Sequence, residues 1–373
     1  MSRRITAIIL IICLVLSLGA CGEKKGADEK GTVLVYEKSM PLKIATQFAV
    51  DYYEGGYKLI TLADGSRYIV VPEGKELPEG LDSGISAIYQ PLDNIYMAAT
   101  AVMSLFSSLD ALDSVSMSGT QEDGWYIEEP KALMQSGDIV YAGKYSDPDY
   151  ELMLSKSCPL AIESMMIWHT PEVKEKLEEL GIAVFVDQAS NETHPLGRSE
   201  WIKLYGVLLD KEELAEEIFN EQMQYLAAAE KHESTGKSVV FFHIGSNGKA
   251  YVRKSDDYLT SMIELAGGEY VFKDDALDST SIDMETFFAK AKDADYIIYN
   301  STLGGELGSI DDLLDKSHLL SAFKAVKEGN VWCTDKSMYQ ESTHLGNMIE
   351  SFHKVFAGEA DELTELPFLY RIQ

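Results

Sequence analysis

The chain has 373 residues, 46% of them hydrophobic and 25% charged. That is enough apolar surface for real cores and too much for a disordered chain, and it is longer than one core usually serves, so two lobes are expected. The formal net charge of −29, with no basic stripe along the chain, excludes nucleic acid as a partner, because phosphate backbones are held by clustered cations. Acidity of this size speaks for solubility and says nothing of fold.

The N-terminus has Arg3 and Arg4, then an almost unbroken apolar stretch from Ala7 to Leu18, closed by Leu18-Gly19-Ala20-Cys21. The apolar stretch is too short to span a bilayer. With small residues before a cysteine, it resembles a bacterial lipoprotein signal. The resemblance implies removal of residues 1–20 and a diacylglycerol thioether, with its palmitate-like chains, on Cys21. An ordinary secretory signal with a chance cysteine is the alternative. Either way the mature chain works outside the cytoplasm, and lipidation would hold it to the membrane surface. Residues 21–45 begin as a polar Gly, Lys, Glu and Asp tether. Cys158 and Cys333 lie in opposite halves beside predicted strands and read as buried small hydrophobes, and no CxxC pair suggests zinc.

After the tether, 46–198 reads as an N-terminal lobe. Phe48 to Tyr53 and Tyr57 to Leu62 alternate, and Asp64-Gly65 turns the chain into Arg67 to Val71, giving a hairpin or small meander. Short strands and helices follow: strand Ile85 to Tyr89, helix Asn94 to Leu109, strand Val115 to Met117. Strand Leu160 to Ile162 then leads to Thr170 as N-cap, Pro171 as first helical residue, an apolar face of Val173, Leu177 and Leu180, Gly181 as stop, and strand Ile182 to Val186. That is a crossover of the kind parallel sheets use.

Residues 199–232 read as a linker helix, with helical periodicity through Trp201, Leu204, Tyr205, Leu208, Leu214, Ile218 and Met223, interrupted around Asp210. At ~1.5 Å per residue its second segment would span ~30 Å, a small domain's diameter. A C-terminal lobe, 233–373, repeats the strand and helix pattern: strand Ser238 to Ile244, helix Tyr258 to Ala266, helix Met284 to Lys292, strand Tyr296 to Tyr299, helix Ile310 to Leu314, strand Asn330 to Thr334, helix Met348 to Ala357. Glu192-Thr193-His194-Pro195-Leu196-Gly197 and Glu341-Ser342-Thr343-His344-Leu345-Gly346 echo each other, each between a strand and a helix. Ligands of open α/β sheets sit at such strand ends, so the two loops are expected to face each other across a cleft.

These residues resemble the substrate-binding lipoproteins of ABC importers for iron complexes and cobalamin. The likeness rests on Thr170-Pro171-Glu172-Val173 to Glu178-Glu179-Leu180-Gly181, on Glu200-Trp201-Ile202-Lys203 onward, and on Ile263-Glu264-Leu265-Ala266-Gly267-Gly268. It implies an α/β fold of two lobes, each a mostly parallel sheet flanked by helices, joined by one long linker helix as in class III periplasmic binding proteins. It also implies a monomer that takes an iron chelate, a ferric siderophore, and hands it to an ABC permease and its ATPase, with no cofactor of its own. Cobalamin, haem or a bare metal ion are the alternatives on the same fold. Glu151 and Glu285 match the surface acids that dock such proteins onto permease arginines, one per lobe.

Strand-end loops offer Gln90, Trp125, Glu163, Met166, Trp168 and His169 from the first lobe and Ser246, Asn247, Tyr251, Arg253, Asn300, Met338 and Tyr339 from the second. Arg198 at the linker's start joins Arg253 as a candidate for chelate oxygens. This mixture suits a bulky, partly aromatic ligand. Glu163 reads either as an acceptor or metal-facing group in the cleft or as a loop cap. His169, His194, His243 and His344 fall near strand ends, where they serve either as metal ligands or, as preferred here, as loop structure. An extracytoplasmic α/β enzyme is the rival of another class, but GxSxG, HExxH, GxGxxG and a complete phosphate loop are all missing.

Overall fold

The computed structural model describes residues 34–231, 233–275, 279–360 and 362–373; the signal and Cys21 lie outside them. Among the described residues no helix is long and apolar enough to cross a membrane.

The chain first builds a five-stranded sheet in sequential order: β1 (Tyr36–Ser39), β2 (Phe48–Tyr53), β3 (Lys58–Leu62), β4 (Arg67–Val71) and β5 (Ile85–Tyr89). The first four pair antiparallel and β5 joins parallel to β4. The meander is therefore larger than its central three strands, and Ile85–Tyr89 belongs to it instead of opening the next sheet. Phe48, Val50, Ile60 and Val70 point into the core of the N-terminal lobe. Two buried carboxylates, Glu192 and Glu200, hold the segment that leads into β2. Glu200 accepts the backbone N–H groups of Lys43, Ile44 and Ala45 at 2.8, 2.7 and 2.8 Å. Glu192 accepts those of Thr46 and Gln47, both at 2.9 Å, and the indole N–H of Trp201 at 3.2 Å.

The N-terminal lobe's own sheet runs β12-β11-β6-β7-β8, every pair parallel: β6 (Ile95–Met97), β7 (Val115–Ser118), β8 (Val140–Tyr141), then, past a small hairpin of β9 (Gly143–Lys144) and β10 (Asp147–Pro148), β11 (Leu160–Ser164) and β12 (Ala183–Asp187). Alternate residues serve two cores, Ile95, Met97, Leu160, Ile162 and Phe185 on one face and Tyr96, Met117, Ala161, Val184 and Val186 on the other. A sheet buried on both faces reads as an unbroken apolar run, so Ile95–Met97 carries no alternation in the sequence and merges with the helix that follows it, Thr100–Ser108.

The C-terminal lobe has an eight-stranded sheet. Its parallel centre is β13 (Lys237–Ile244), flanked by β15 (Gly268–Tyr270) and β17 (Tyr296–Tyr299), with β18 (Val331–Thr334) beyond. Antiparallel β14 (Ala250–Tyr251) and β16 (Ser281–Ile282) extend one edge and β20 (Leu369–Arg371) and β19 (Glu365–Leu366) the other. Helices Tyr258–Leu265, Met284–Ala291 and Leu345–Phe356 pack on it through Leu259, Ile263, Phe287, Met348 and Phe352.

Between the lobes the chain forms two helices, Pro195–Leu209 and Glu212–Ala229. The interruption at Asp210 is a chain reversal, with Asp210 in the left-handed region at φ 57°. A Cβ at Gly206 would stand 2.7 Å from that of Ala215, so the helices pack side by side only because position 206 is glycine. The second helix is the long linker: Ala215 and Phe219 lie in the N-terminal core, Leu226 and Ala229 in the C-terminal one. Its 18 residues reach about 27 Å at ~1.5 Å each.

Candidate functional site

The parallel strands of both lobes end toward the space between them, and the loops at these ends decide which side chains face it. After β7, Ser118 Oγ donates to Thr120 O at 2.7 Å and accepts the Thr120 N–H at 3.0 Å and the Trp125 indole N–H at 3.2 Å. This curls residues 119–125 inward, buries Trp125 in the lobe core at 1% exposure and leaves Tyr126 outside. Trp125 is thus corrected from a ligand contact to a core residue. After β11, a short 3-10 turn over Met165–His169 buries Ile167 and presents Met166 and Trp168, each 47% exposed. Tyr141 ends β8 in the open. In the C-terminal lobe Asn300 caps the short helix Ser301–Gly304, accepting the Leu303 N–H at 3.4 Å, and Leu303 projects outward.

A cavity of about 380 Å³ joins the lobes, lined by Tyr126 from the first and by Ser301, Glu306, Asp335, Lys336 and Tyr370 from the second. Lys336 is 2.9 Å from Glu306, and its ammonium stands 5.6 Å from the Tyr126 ring centroid. Burial, and then the nearby Glu365 and Glu306 charges, hold Asp335 above the usual carboxylate range.

Arg253, Asn300 and Tyr339 do come together, but on one another. The Tyr339 hydroxyl accepts from the Arg253 guanidinium and from Asn300 Nδ2, the latter at 2.8 Å, and Arg253 also lies 3.5 Å from Asp257. They brace the C-terminal wall of the cleft, where Tyr251 stacks on His243 at 4.9 Å. Arg198 donates to Ser190 O at 2.7 Å and lies 3.6 Å from the ring centroid of Tyr258, which makes it a brace between linker and C-terminal lobe instead of a chelate contact. Gln90 donates to Val207 O and Leu208 O at the end of a helix, Asn247 donates to the Tyr251 hydroxyl at 2.9 Å, Ser246 is exposed, and Met338 is buried. Glu163 is neither cleft group nor cap: it is fully buried and neither carboxyl oxygen has a hydrogen-bond partner, so burial pushes its pKa up to about 8.

The four histidines stay apart. His194 accepts the Leu196 N–H at 3.1 Å as a helix cap, and burial lowers its pKa. Burial, and then the Arg253 charge, lower His243 to about 4. His344 pairs with Glu341 at 2.9 Å, and His169 is exposed. Among the described residues no group of three or more His, Cys, Asp or Glu is placed to hold a metal ion. Cys158 and Cys333 are buried free thiols, raised by burial to about 11 and 12.

The two echo loops do not face each other across open space. Ser199, on the helix after the first, donates to Ser342 O of the second at 2.9 Å, and Gly346 N donates to Gln222 of the linker at 3.1 Å. They meet at the packed junction of lobes and linker. Above it Gln340 reaches across, accepting the Tyr126 N–H at 2.9 Å and donating to Gly124 O at 2.8 Å. Tyr126, Lys336 and Gln340 escaped the sequence reading: Tyr126 sits beside the more conspicuous Trp125, and nothing in the sequence marks the other two.

Two sheets with their strand ends opposed across a cleft, spanned by one long helix, define a two-lobed solute-binding fold of the class III type. The sequence profile of the periplasmic binding proteins matches residues 95–338, and the chain belongs to that family. It is 26% identical over 326 residues to an uncharacterized lipoprotein of Methanocaldococcus jannaschii, MJ0878, covering 83% of this chain and 77% of that one. Among solved structures it is similar to a periplasmic heme binding protein from Pseudomonas aeruginosa, with TM-score 0.58 and 17% identity over 75% of this chain and 98% of the other. An ABC-type Fe3+-hydroxamate transport protein from Saccharomonospora viridis gives TM-score 0.56 and 21% identity over 71% and 93%. The N-terminal meander lies outside the matched profile.

Proposed function

We propose that this chain is an extracytoplasmic solute-binding protein, anchored through a lipid on Cys21, that captures a ferric siderophore of low net charge between its lobes and delivers it to an ABC permease and its ATPase. The observation that carries the reading is the placement of Tyr126, Tyr141, Met166, Trp168 and Leu303: all are exposed, and all stand at strand ends of the two lobes. Aromatic and thioether surfaces of this kind grip a bulky ligand body without fixing its charge. Three cations of the cleft region are engaged within the protein, Arg253 with Tyr339 and Asp257, Arg198 with Ser190 and Tyr258, Lys336 with Glu306, which favours a ligand of low charge over a polyanionic catecholate. The haem and Fe3+-hydroxamate named for the structural neighbours fit a cleft of this character, and the lipoprotein relative fits the anchor.

Glu151 and Glu285, both exposed, are the residues assigned to permease docking. Binding requires no covalent step, so the ligand should return unchanged. The test is fluorescence titration with ferrioxamine B, a ferric tricatecholate, hemin and cyanocobalamin. Micromolar or tighter binding of ferrioxamine B and none of the tricatecholate supports the reading. Preference for hemin or cyanocobalamin moves the ligand to a tetrapyrrole or corrin, and binding of none of the four overturns it.

A further inference from the structure

The second echo loop has no ligand role in the proposed function, yet together with Gln340 just before it, it carries most of the polar contact between the lobes among the described residues. Gln340 bonds to Gly124 O and Tyr126 N, Ser342 N donates to Ser104 Oγ at 3.1 Å, Ser342 O accepts from Ser199, and Thr343 Oγ1 accepts from Ser108 at 3.2 Å. Gln340, Thr343, Ser104 and Ser199 are all buried.

Gln340 differs from the others in what it grips. Its partners are a carbonyl and an N–H two residues apart on one stretch of backbone, the pair that a peptide strand offers to a neighbour, and a side-chain amide satisfies both at once. The stretch belongs to the loop after β7, whose inner half is tied down by Ser118 and Trp125. The bond from Gln340 falls on Tyr126, the residue that forms the N-terminal wall of the 380 Å³ cavity. Four positions before Gln340 on the same segment, Lys336 stands over the Tyr126 ring.

We propose that Gln340 is a positioning residue that latches the C-terminal lobe to the backbone of Gly124 and Tyr126, and so sets both the lobe spacing and the place of the Tyr126 ring against ligand. The latch itself rests on the contacts of Gln340 within the chain; only its effect on ligand rests on the proposed function. It makes the lobe spacing a property of the chain itself, and ligand exchange is slowed while Gln340 holds.

The test replaces Gln340 with Met, which keeps length and apolar bulk, and with Ala. Hydrogen exchange followed peptide by peptide should rise at least tenfold at residues 124–126 in both variants and stay unchanged in the β11–β12 region, while small-angle scattering shows a larger radius of gyration. Ferrioxamine B, or hemin or cyanocobalamin if the parent protein prefers it, should dissociate at least tenfold faster. Unchanged exchange at 124–126 in Gln340→Met overturns the latch, and so does a rise spread over both lobes, which marks plain destabilisation. Exchange and scattering need no ligand, so a parent protein that binds none of the three probes defeats the proposed function and leaves the latch decided on its own.

Discussion

Glu151 and Glu285 occupy the same place in two different lobes: each is the second residue after an aspartate N-cap, Asp149 and Asp283, and each is exposed on the first turn of its helix. Asp149 accepts the Leu152 N–H at 2.9 Å, and Asp283 accepts those of Glu285 and Thr286 at 3.0 and 2.8 Å. The caps fix the starts of both helices, so the separation of the two carboxylates follows the spacing of the lobes. A partner with arginines at matching positions reads that separation as well as the charge. The double substitution Glu151→Ala, Glu285→Ala is expected to cut ligand uptake by whole cells at least tenfold while the purified protein's affinity stays within twofold. Normal uptake by the double variant would dismiss the docking role.

Contact quenching will report mainly from one indole. Trp125, Trp201 and Trp332 are buried at 1%, 0% and 2% exposure, and Trp168 is the half-exposed one among the four. Quenching by bound chelate should therefore fall by more than half in Trp168→Phe, with the other three tryptophans left in place. Quenching of undiminished size in the variant would put the ligand away from Trp168.

The crossover from Leu160 to Val186 was legible because its signals are local: Pro171 at the first helical position, Gly181 at φ 80° after the helix, and apolar spacing along one face. The same holds for β17, β18 and the linker's break at Asp210. Ile95–Met97 was hidden in a predicted helix because a strand buried on both faces shows no period of two. The site was less legible than the fold. Residue type places Trp125, Arg253 and Tyr339 near strand ends, but whether an indole turns inward depends on the Ser118 hydroxyl, and whether an arginine is free depends on Tyr339 and Asp257. Those are contacts between distant segments, which no window of sequence contains.

Two carboxylates anchor the segment between β1 and β2 of the N-terminal meander. Glu200→Ala strips three consecutive backbone N–H groups, those of Lys43, Ile44 and Ala45, of their acceptor. It also leaves the nearly buried Lys203 without the carboxylate 3.1 Å away. A buried charged acceptor with several donors costs about 3 kcal/mol when removed. The expected outcome is a loss of that size in urea unfolding, together with early protease cleavage between residues 34 and 47. A variant as stable as the parent would mean that the segment is held by its apolar contacts alone.

Glu163 gives the chain a pH dependence with a definite sign. Burial without a hydrogen-bond partner raises its pKa from 4.5 to about 8, so the folded protein keeps this proton through a range where the unfolded chain has released it. The folded state binds the extra proton, so stability must fall as pH rises from about 4.5 through about 8, by up to ~1.4 kcal/mol per pH unit. Asp187, raised by burial to about 6 although Tyr205 donates to it at 2.6 Å, adds a smaller fall at lower pH. Its contribution cancels when two proteins that both retain it are compared. Glu163→Gln keeps the shape and removes the titrating proton, so the stability of the variant minus that of the parent should be near zero at pH 4, about +3 kcal/mol at pH 7, and level off above about pH 8. Urea midpoints collected across that range measure the curve directly. A difference that does not vary with pH would show that the Glu163 carboxyl ionises in the folded protein as it does in water.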